Sequence, residues 1–180
     1  MNTVYFDVDT QLDFLCPAGA LYVPGAENII ATVAALNRHA VAQGSPLIST
    51  TDAHAENDVE FRDWPGHCIR GTLGQRKPAA TLAGGSDKQY ILEKVTLDCF
   101  LQPDLEPLLR KLNAGRYVVY GVVTEICVRL AVEGLLARTG MQVEIVEDAV
   151  RHLSEQDRDR TLAALTAAGA KLTRAAAILG

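Results

Sequence analysis

Short apolar runs alternate with helix-length amphipathic stretches along most of this chain. Thr3 to Val8 (TVYFDV) predicts a first strand. Ile29, Ile30, Val33, Leu36 and Val41 fall at helical spacing and predict a helix over Ala26 to Gln43. Pro46 to Thr50 (PLIST) predicts a second strand and Tyr90 to Glu93 a third. Leu105 to Asn113 predicts a helix, with Gly115 as its stop. Tyr117 to Val123 is so rich in β-formers that a central, buried parallel strand is expected. A helix over Glu125 to Arg138 follows, with Thr124 as N-cap and Gly140 as stop. Val143 to Val146 predicts the next strand. Ser154-Glu-Gln-Asp157 resembles a capping box opening a helix to Ala168. Lys171 to Thr173 predicts a last edge strand before a short helix. Residues 52–88 carry no clear period, and a loop of that length is usually functional.

Strands that alternate with helices predict an α/β fold, a mostly parallel sheet of about six strands with helices on both faces. In such sheets ligands bind beyond the carboxyl ends of the strands. Asp9, Asp52, Lys94 and Thr124 to Cys127 all fall at or just past those ends. The reactive residues should therefore collect at one edge.

With 180 residues, one domain over 1–180 is expected, large enough to bury a substantial core. A net charge of −5 lacks the electrostatic footprint of a nucleic-acid binder. The N-terminal residues do not resemble a signal peptide and the apolar runs are too short to span a bilayer, so a cytoplasmic location is the default. Cys16, Cys68, Cys99 and Cys127 are then expected as reduced thiols, and no Cys-x-x-Cys pair suggests a zinc ribbon. Gly-x-Gly-x-x-Gly, the P-loop pattern and Gly-x-Ser-x-Gly are missing, which disfavours dinucleotide enzymes, P-loop NTPases and serine α/β-hydrolases.

The candidate chemistry centres on Cys127. At the start of a helix it would feel unpaired N–H groups and a positive dipole end, both of which lower a thiol pKa. The same N–H groups could hold an oxyanion. Taken alone, a free Cys is usually a small buried hydrophobe. Asp9-Thr-Gln-Leu-Asp13-Phe14 and Lys94 change that weighting by supplying a base and a positive charge. Asp9 is the expected proton acceptor and Asp13 a loop anchor. Asp52, His54 and His67 form a two-histidine, one-carboxylate set. Glu60 is a candidate fourth ligand, with Glu56 and Asp58 competing. These donors suit one divalent ion: zinc first, with iron(II) or manganese as alternatives. Phe14 and Trp64 flank the two clusters and could sandwich a flat ring. His39 and His152 are expected at the surface. The apolar helix after Cys127 fits either a buried helix or the interface of a homo-oligomer.

Asp9-x-Gln-x-Asp13-Phe14, Lys94 and Gly121-Val-Val-Thr-x-x-Cys127-Val together resemble the signature of the isochorismatase-like cysteine hydrolases. Within them the chain is most similar to the nicotinamidase/pyrazinamidase branch. That narrower likeness rests on Cys16-Pro-Ala-Gly-Ala-Leu-Tyr-Val-Pro-Gly25-Ala, Asp52-Ala-His54 and Trp64-Pro-Gly-His67-Cys68-Ile-Arg-Gly-Thr72. The resemblance implies a three-layer α/β/α sandwich and an Asp9–Lys94–Cys127 triad with Cys127 as nucleophile. It implies metal ligands Asp52, His54 and His67, with Glu60 where relatives carry His or an acid. It implies a cis peptide between Val122 and Val123, with Val123 and Cys127 N–H groups forming an oxyanion hole. The expected activity is hydrolysis of a small amide, nicotinamide first, with no membrane or nucleic-acid partner. Two departures border the substrate pocket: a short Lys94 to Phe100 segment, which would bring Phe100 to its wall, and Glu125-Ile126 before the Cys. They keep open another small amide, a ureide or a vinyl ether. A non-catalytic binding protein would be expected to lack a triad residue, and all three are present.

Overall fold

The computed structural model describes residues 2–84, 86–138 and 140–180. Its centre is a six-stranded sheet, parallel throughout, in the order β3-β2-β1-β4-β5-β6. The strands are β1 (Thr3–Val8), β2 (Leu47–Asp52), β3 (Gln89–Lys94), β4 (Arg116–Val122), β5 (Gln142–Arg151) and β6 (Lys171–Thr173). The helices are α1 (Leu12–Leu15), α2 (Ile30–Ala42), α3 (Leu105–Leu112), α4 (Arg129–Leu136), α5 (Glu155–Ala167) and α6 (Ala175–Leu179). Helices α2 and α6 touch each other on one face, while α4 meets α5 on the other. The predicted three-layer sandwich is thus present. No helix among the described residues is long and apolar enough to cross a membrane.

Both faces of β1 and β4 are covered, so their residues are buried regardless of parity: Val4, Phe6, Tyr117, Val118, Val119 and Tyr120 are all 0 % exposed. This is why those runs read as continuous apolar strands. Gly121 shows how closely β4 and β1 approach. Its φ is +122°, and a Cβ there would lie 2.1 Å from the Val8 carbonyl oxygen. Only glycine fits such a position.

Several local expectations shift. Asn113, not Gly115, takes the left-handed position that ends α3 (φ 44°). Thr124 does not cap a helix; its Oγ1 donates to the Arg151 carbonyl (2.8 Å). The chain instead makes one wide turn over Thr124–Val128, in which Val128 N–H reaches back to the Val123 carbonyl (3.1 Å), and α4 starts at Arg129. The fifth strand runs to Arg151, well past Val146. Ser154 does cap α5, its Oγ accepting from Asp157 N–H (3.3 Å). His39 and His152 are half-buried, not at the surface; the His39 ring lies 6.2 Å from that of Tyr5.

Candidate active site

The strand order reverses between β1 and β4, since successive strands run outward from that pair in opposite directions. A crevice forms beyond the carboxyl ends of strands at such a point. Asp9 directly follows β1, Cys127 follows β4, Asp52 ends β2 and Lys94 ends β3. Four residues far apart in sequence thus meet because parallel strands all end on the same side.

Asp9 has a left-handed φ of 50°. Its N–H donates to the Thr50 carbonyl (3.1 Å), and Thr50 Oγ1 donates to Asp9 Oδ1 (2.7 Å). Asp9 Oδ2 lies 2.9 Å from Lys94 Nζ, which lies 3.9 Å from Cys127 Sγ. All three side chains are buried. Lys94 Nζ also contacts Asp52 Oδ1, so the ammonium is held between two carboxylates. Burial alone would lower the Lys94 pKa, but Asp9, Cys127 and Asp52 outweigh it and hold the group well above its ordinary value. Burial raises the Asp9 carboxyl, with Lys94 opposing. For Cys127, burial also dominates; Lys94 pulls the thiol down, but Asp9 and Asp52 add to the rise. The expected lowering of this pKa is therefore reversed. The sulfur sits in a wide turn under two acids, not at an exposed helix end. The sulfur therefore holds its proton more tightly than an exposed thiol would.

Asp52 faces the second cluster with its other oxygen. Oδ2 lies 4.0 Å from His54 Nε2 and 3.7 Å from His67 Nε2. Burial raises the Asp52 carboxyl, yet Lys94 and His67 together hold it below its usual range. Donor atoms of Asp52, His54 and His67 all lie within 4.8 Å of one another. His67 Nδ1 pairs with the Pro65 carbonyl (2.8 Å), which leaves Nε2 for the shared point. His54 Nε2 is buried there without a hydrogen-bond partner among the described residues. An orphaned nitrogen aimed at a carboxylate and a second imidazole fits a divalent cation. Glu60 Oε1 borders the same point, 3.9 Å from His54 Nε2 and 3.8 Å from His67 Nε2. Its rivals are elsewhere: Glu56 is exposed, and Asp58 Oδ2 faces the outer His54 Nδ1 at 3.2 Å.

Between the clusters lies a narrow cleft that reaches Asp9, Cys127, Asp52 and His67. Phe14 and Trp64 line it as expected, together with Leu21, Leu97, Ile126 and Leu153. Ile126 stands where the departure before Cys127 pointed, whereas Leu21, Leu97 and Leu153 were not singled out because lone Leu residues in loops carry no pattern. Phe61 was missed for the same reason, though its ring lies 5.3 Å from that of His54 and 5.6 Å from that of His67. Phe100 does not reach the cleft. Its ring packs under the Arg138 guanidinium (4.2 Å) and against Gly134, whose missing side chain makes the room. Leu97, from the same short segment, takes the wall position instead.

The Val122–Val123 peptide bond is cis, and Val123 lines the cleft beside Cys127. Asp13 anchors the surrounding loops: Oδ2 accepts from Cys68 N–H (2.7 Å) and Oδ1 from Ala20 N–H (2.9 Å). All four cysteines are free.

The description of the isochorismatase domain matches residues 3–177. The crystal structure of pyrazinamidase of Pyrococcus horikoshii in complex with zinc superposes with a TM-score of 0.87 at 30% identity, covering 97% of this chain and 99% of that one. The uncharacterized isochorismatase family protein PncA of Bacillus subtilis is 28% identical, over 87% of this chain and 90% of its own length. The nicotinamidase of Saccharomyces cerevisiae is 23% identical, over 82% of this chain and 87% of its own. A domain match over nearly the whole length, joined to a parallel sheet whose strand ends gather Asp9, Lys94 and Cys127, shows that the chain belongs to the isochorismatase family.

Proposed function

We propose that the chain is a cysteine amidohydrolase that converts nicotinamide and water to nicotinate and ammonia. The observation that carries this reading is the contact chain from Asp9 through Lys94 to Cys127 on the floor of an apolar cleft beside a metal-capable Asp52–His54–His67 group. The kinship with a zinc-bound pyrazinamidase and a nicotinamidase supports the same substrate class.

The flat ring lies between Phe14 and Trp64 with its carboxamide over Cys127. Asp9 takes the thiol proton as sulfur attacks the carboxamide carbon. Lys94 keeps Asp9 and the sulfur in register and offsets the charge that develops between them. The oxygen that becomes negative rests on the N–H groups of Val123 and Cys127; one such donor contributes about 3–4 kcal/mol in comparable sites. Asp9 then gives its proton to the departing nitrogen, and ammonia leaves. The acyl group is now a thioester on Cys127. A water attacks it with Asp9 again as base, and the thiol is restored as nicotinate departs. A divalent cation held by Asp52, His54 and His67, with Glu60 beside them, would supply an electron-pair acceptor for the ring nitrogen. Zinc fits this donor set, as do iron(II) and manganese.

A second reading is a related hydrolase for a different small amide, a ureide or a vinyl ether. It is favoured by the short segment after Lys94, which sets aliphatic Leu97 in the cleft wall. Ammonia release across a panel of amides, run beside metal analysis of the purified protein, decides between them. Nicotinamide should give the highest kcat/KM of the panel. A non-aromatic amide that is turned over faster would replace the first reading with the second.

A further inference from the structure

A second buried ion pair takes no part in this chemistry. Asp7 lies on β1 two residues before Asp9, and Lys77 comes from the segment that leads into β3. Lys77 Nζ lies 2.9 Å from Asp7 Oδ2 and also hydrogen-bonds Thr10 Oγ1. Thr10 Oγ1 donates to Asp7 Oδ1 (2.7 Å), and Asn37 Nδ2 of α2 donates to Asp7 Oδ2 (2.9 Å). Asp7 and Thr10 are fully enclosed and Lys77 is 7 % exposed.

Burying such a pair is costly, and apolar residues of the same volume often serve stability as well. Its placement suggests a different use. Asp7 and Thr10 stand on either side of the step at which β1 ends and Asp9 turns left-handed, a conformation uncommon for residues other than glycine, although Asp adopts it more readily than most. The segment carrying Lys77 is fastened to the same turn. Leu12 N–H donates to the Arg76 carbonyl (2.8 Å), Asp13 N–H to that of Gly74 (3.0 Å) and Gln11 Nε2 to that of Gln75 (2.8 Å).

We propose that Lys77 is a positioning residue for Asp9. By tying the Asp7 carboxylate to the Thr10 hydroxyl, it fixes the turn between them, so that the Asp9 carboxylate stays against Lys94 and Cys127. This rests on the reading of Asp9 as proton acceptor. Lys77 does not line the cleft, so its influence falls on kcat and not on KM.

Removing Lys77 alone would strand a buried carboxylate, which is strongly destabilising. Two other variants avoid this. Thr10→Val removes the bridging hydroxyl without changing charge, and Asp7→Asn with Lys77→Met neutralises both partners together. Each is compared with wild type and with Asp9→Asn for nicotinamide kinetics, for the rate at which iodoacetamide alkylates Cys127, for metal content and for thermal midpoint. Both are expected to lose about tenfold to a hundredfold in kcat, the scale of a small misplacement. KM and metal content should hold, and alkylation should shift in the same direction as in Asp9→Asn. Thr10→Ser, which keeps the hydroxyl, should retain wild-type kcat. A folded Thr10→Val with wild-type kcat and alkylation rate overturns the proposal, and so does a kcat loss that tracks lost metal or a lost thermal midpoint. If Asp9→Asn itself changes neither kcat nor alkylation, the reading of Asp9 falls and takes the proposal with it. If no amide is turned over, the alkylation rates alone decide.

Discussion

Asp52 divides its two oxygens between two tasks: Oδ1 holds Lys94, and Oδ2 faces His54 and His67. In the sequence it reads only as a metal ligand, because Asp-Ala-His gives no sign of a lysine arriving from the next strand. The structure sets it between the Lys94 ammonium on one side and the two imidazoles on the other. Asp52→Asn should therefore lose bound metal, measured by elemental analysis, and also lower kcat in protein reloaded with excess metal. His54→Ala should lose metal and raise KM, with a much smaller effect on kcat at saturating metal. In contrast, Cys127→Ala should abolish ammonia release while metal content and circular dichroism stay as in wild type. Turnover within about tenfold of wild type would remove Cys127 as nucleophile, since loss of a covalent nucleophile costs many orders of magnitude. The residue types of this site were legible in the sequence. The upward shift of the Cys127 thiol was not, because it follows from burial and from the charges of Asp9 and Asp52.

Elements with a strong period or capping signal were read closely: β1, α2 with the short turn before it, and α5 with its Ser154 cap all stand near their expected bounds. The misses lie where tertiary contacts override local pattern. The wide turn at Thr124–Val128 forms because Thr124 is drawn to the Arg151 carbonyl and Val128 N–H reaches past one extra residue to Val123. Nothing in Thr-Glu-Ile-Cys-Val announces it. Likewise, Phe100 reads as a pocket aromatic until Gly134 of α4 is seen to admit its ring. A Cβ on Gly134 would come within 2.2 Å of two Phe100 ring carbons. Gly134→Ala should lower stability by about 1–2 kcal/mol, the overpacking cost of about 1–3 kcal/mol outweighing the helix-propensity gain. Activity per folded molecule should not change, which denaturant titration and kinetics would check together. The Arg116–Glu144 pair joins β4 to β5 with contacts of 2.9 and 2.7 Å. The hydrogen bond from Arg116 holds the Glu144 carboxyl below its ordinary value, with burial opposing. A depressed carboxylate stabilises the fold above its unfolded pKa and loses that effect as pH falls through the folded one. Wild type should thus exceed Glu144→Gln in stability near neutrality by on the order of 1 kcal/mol, with the gap closing below about pH 4.

For the molecule as a whole, the alternation of strands and helices was enough to foresee a parallel sheet with its reactive residues at one edge. Strand order was not foreseeable from periodicity. It is the reversal between β1 and β4 that sets the Asp9 and Cys127 segments side by side. The loop of residues 52–88, which lacks a period, nonetheless supplies Glu60, Trp64 and His67 to the cleft and His54 to the cluster beside it. A cation that binds only the folded chain must stabilise it. At a hundredfold excess over Kd the gain is about 2.7 kcal/mol, a rise of about 5–10 °C in thermal midpoint. A chelator should reverse that rise, and a midpoint indifferent to both zinc and chelator would remove the metal from the scheme. The double allegiance of Asp52 carries this further. Two poisons of unrelated chemistry, one that sequesters the ion and one that caps the sulfur, would not act independently on this protein. Exposure to the first would alter how quickly the second takes hold.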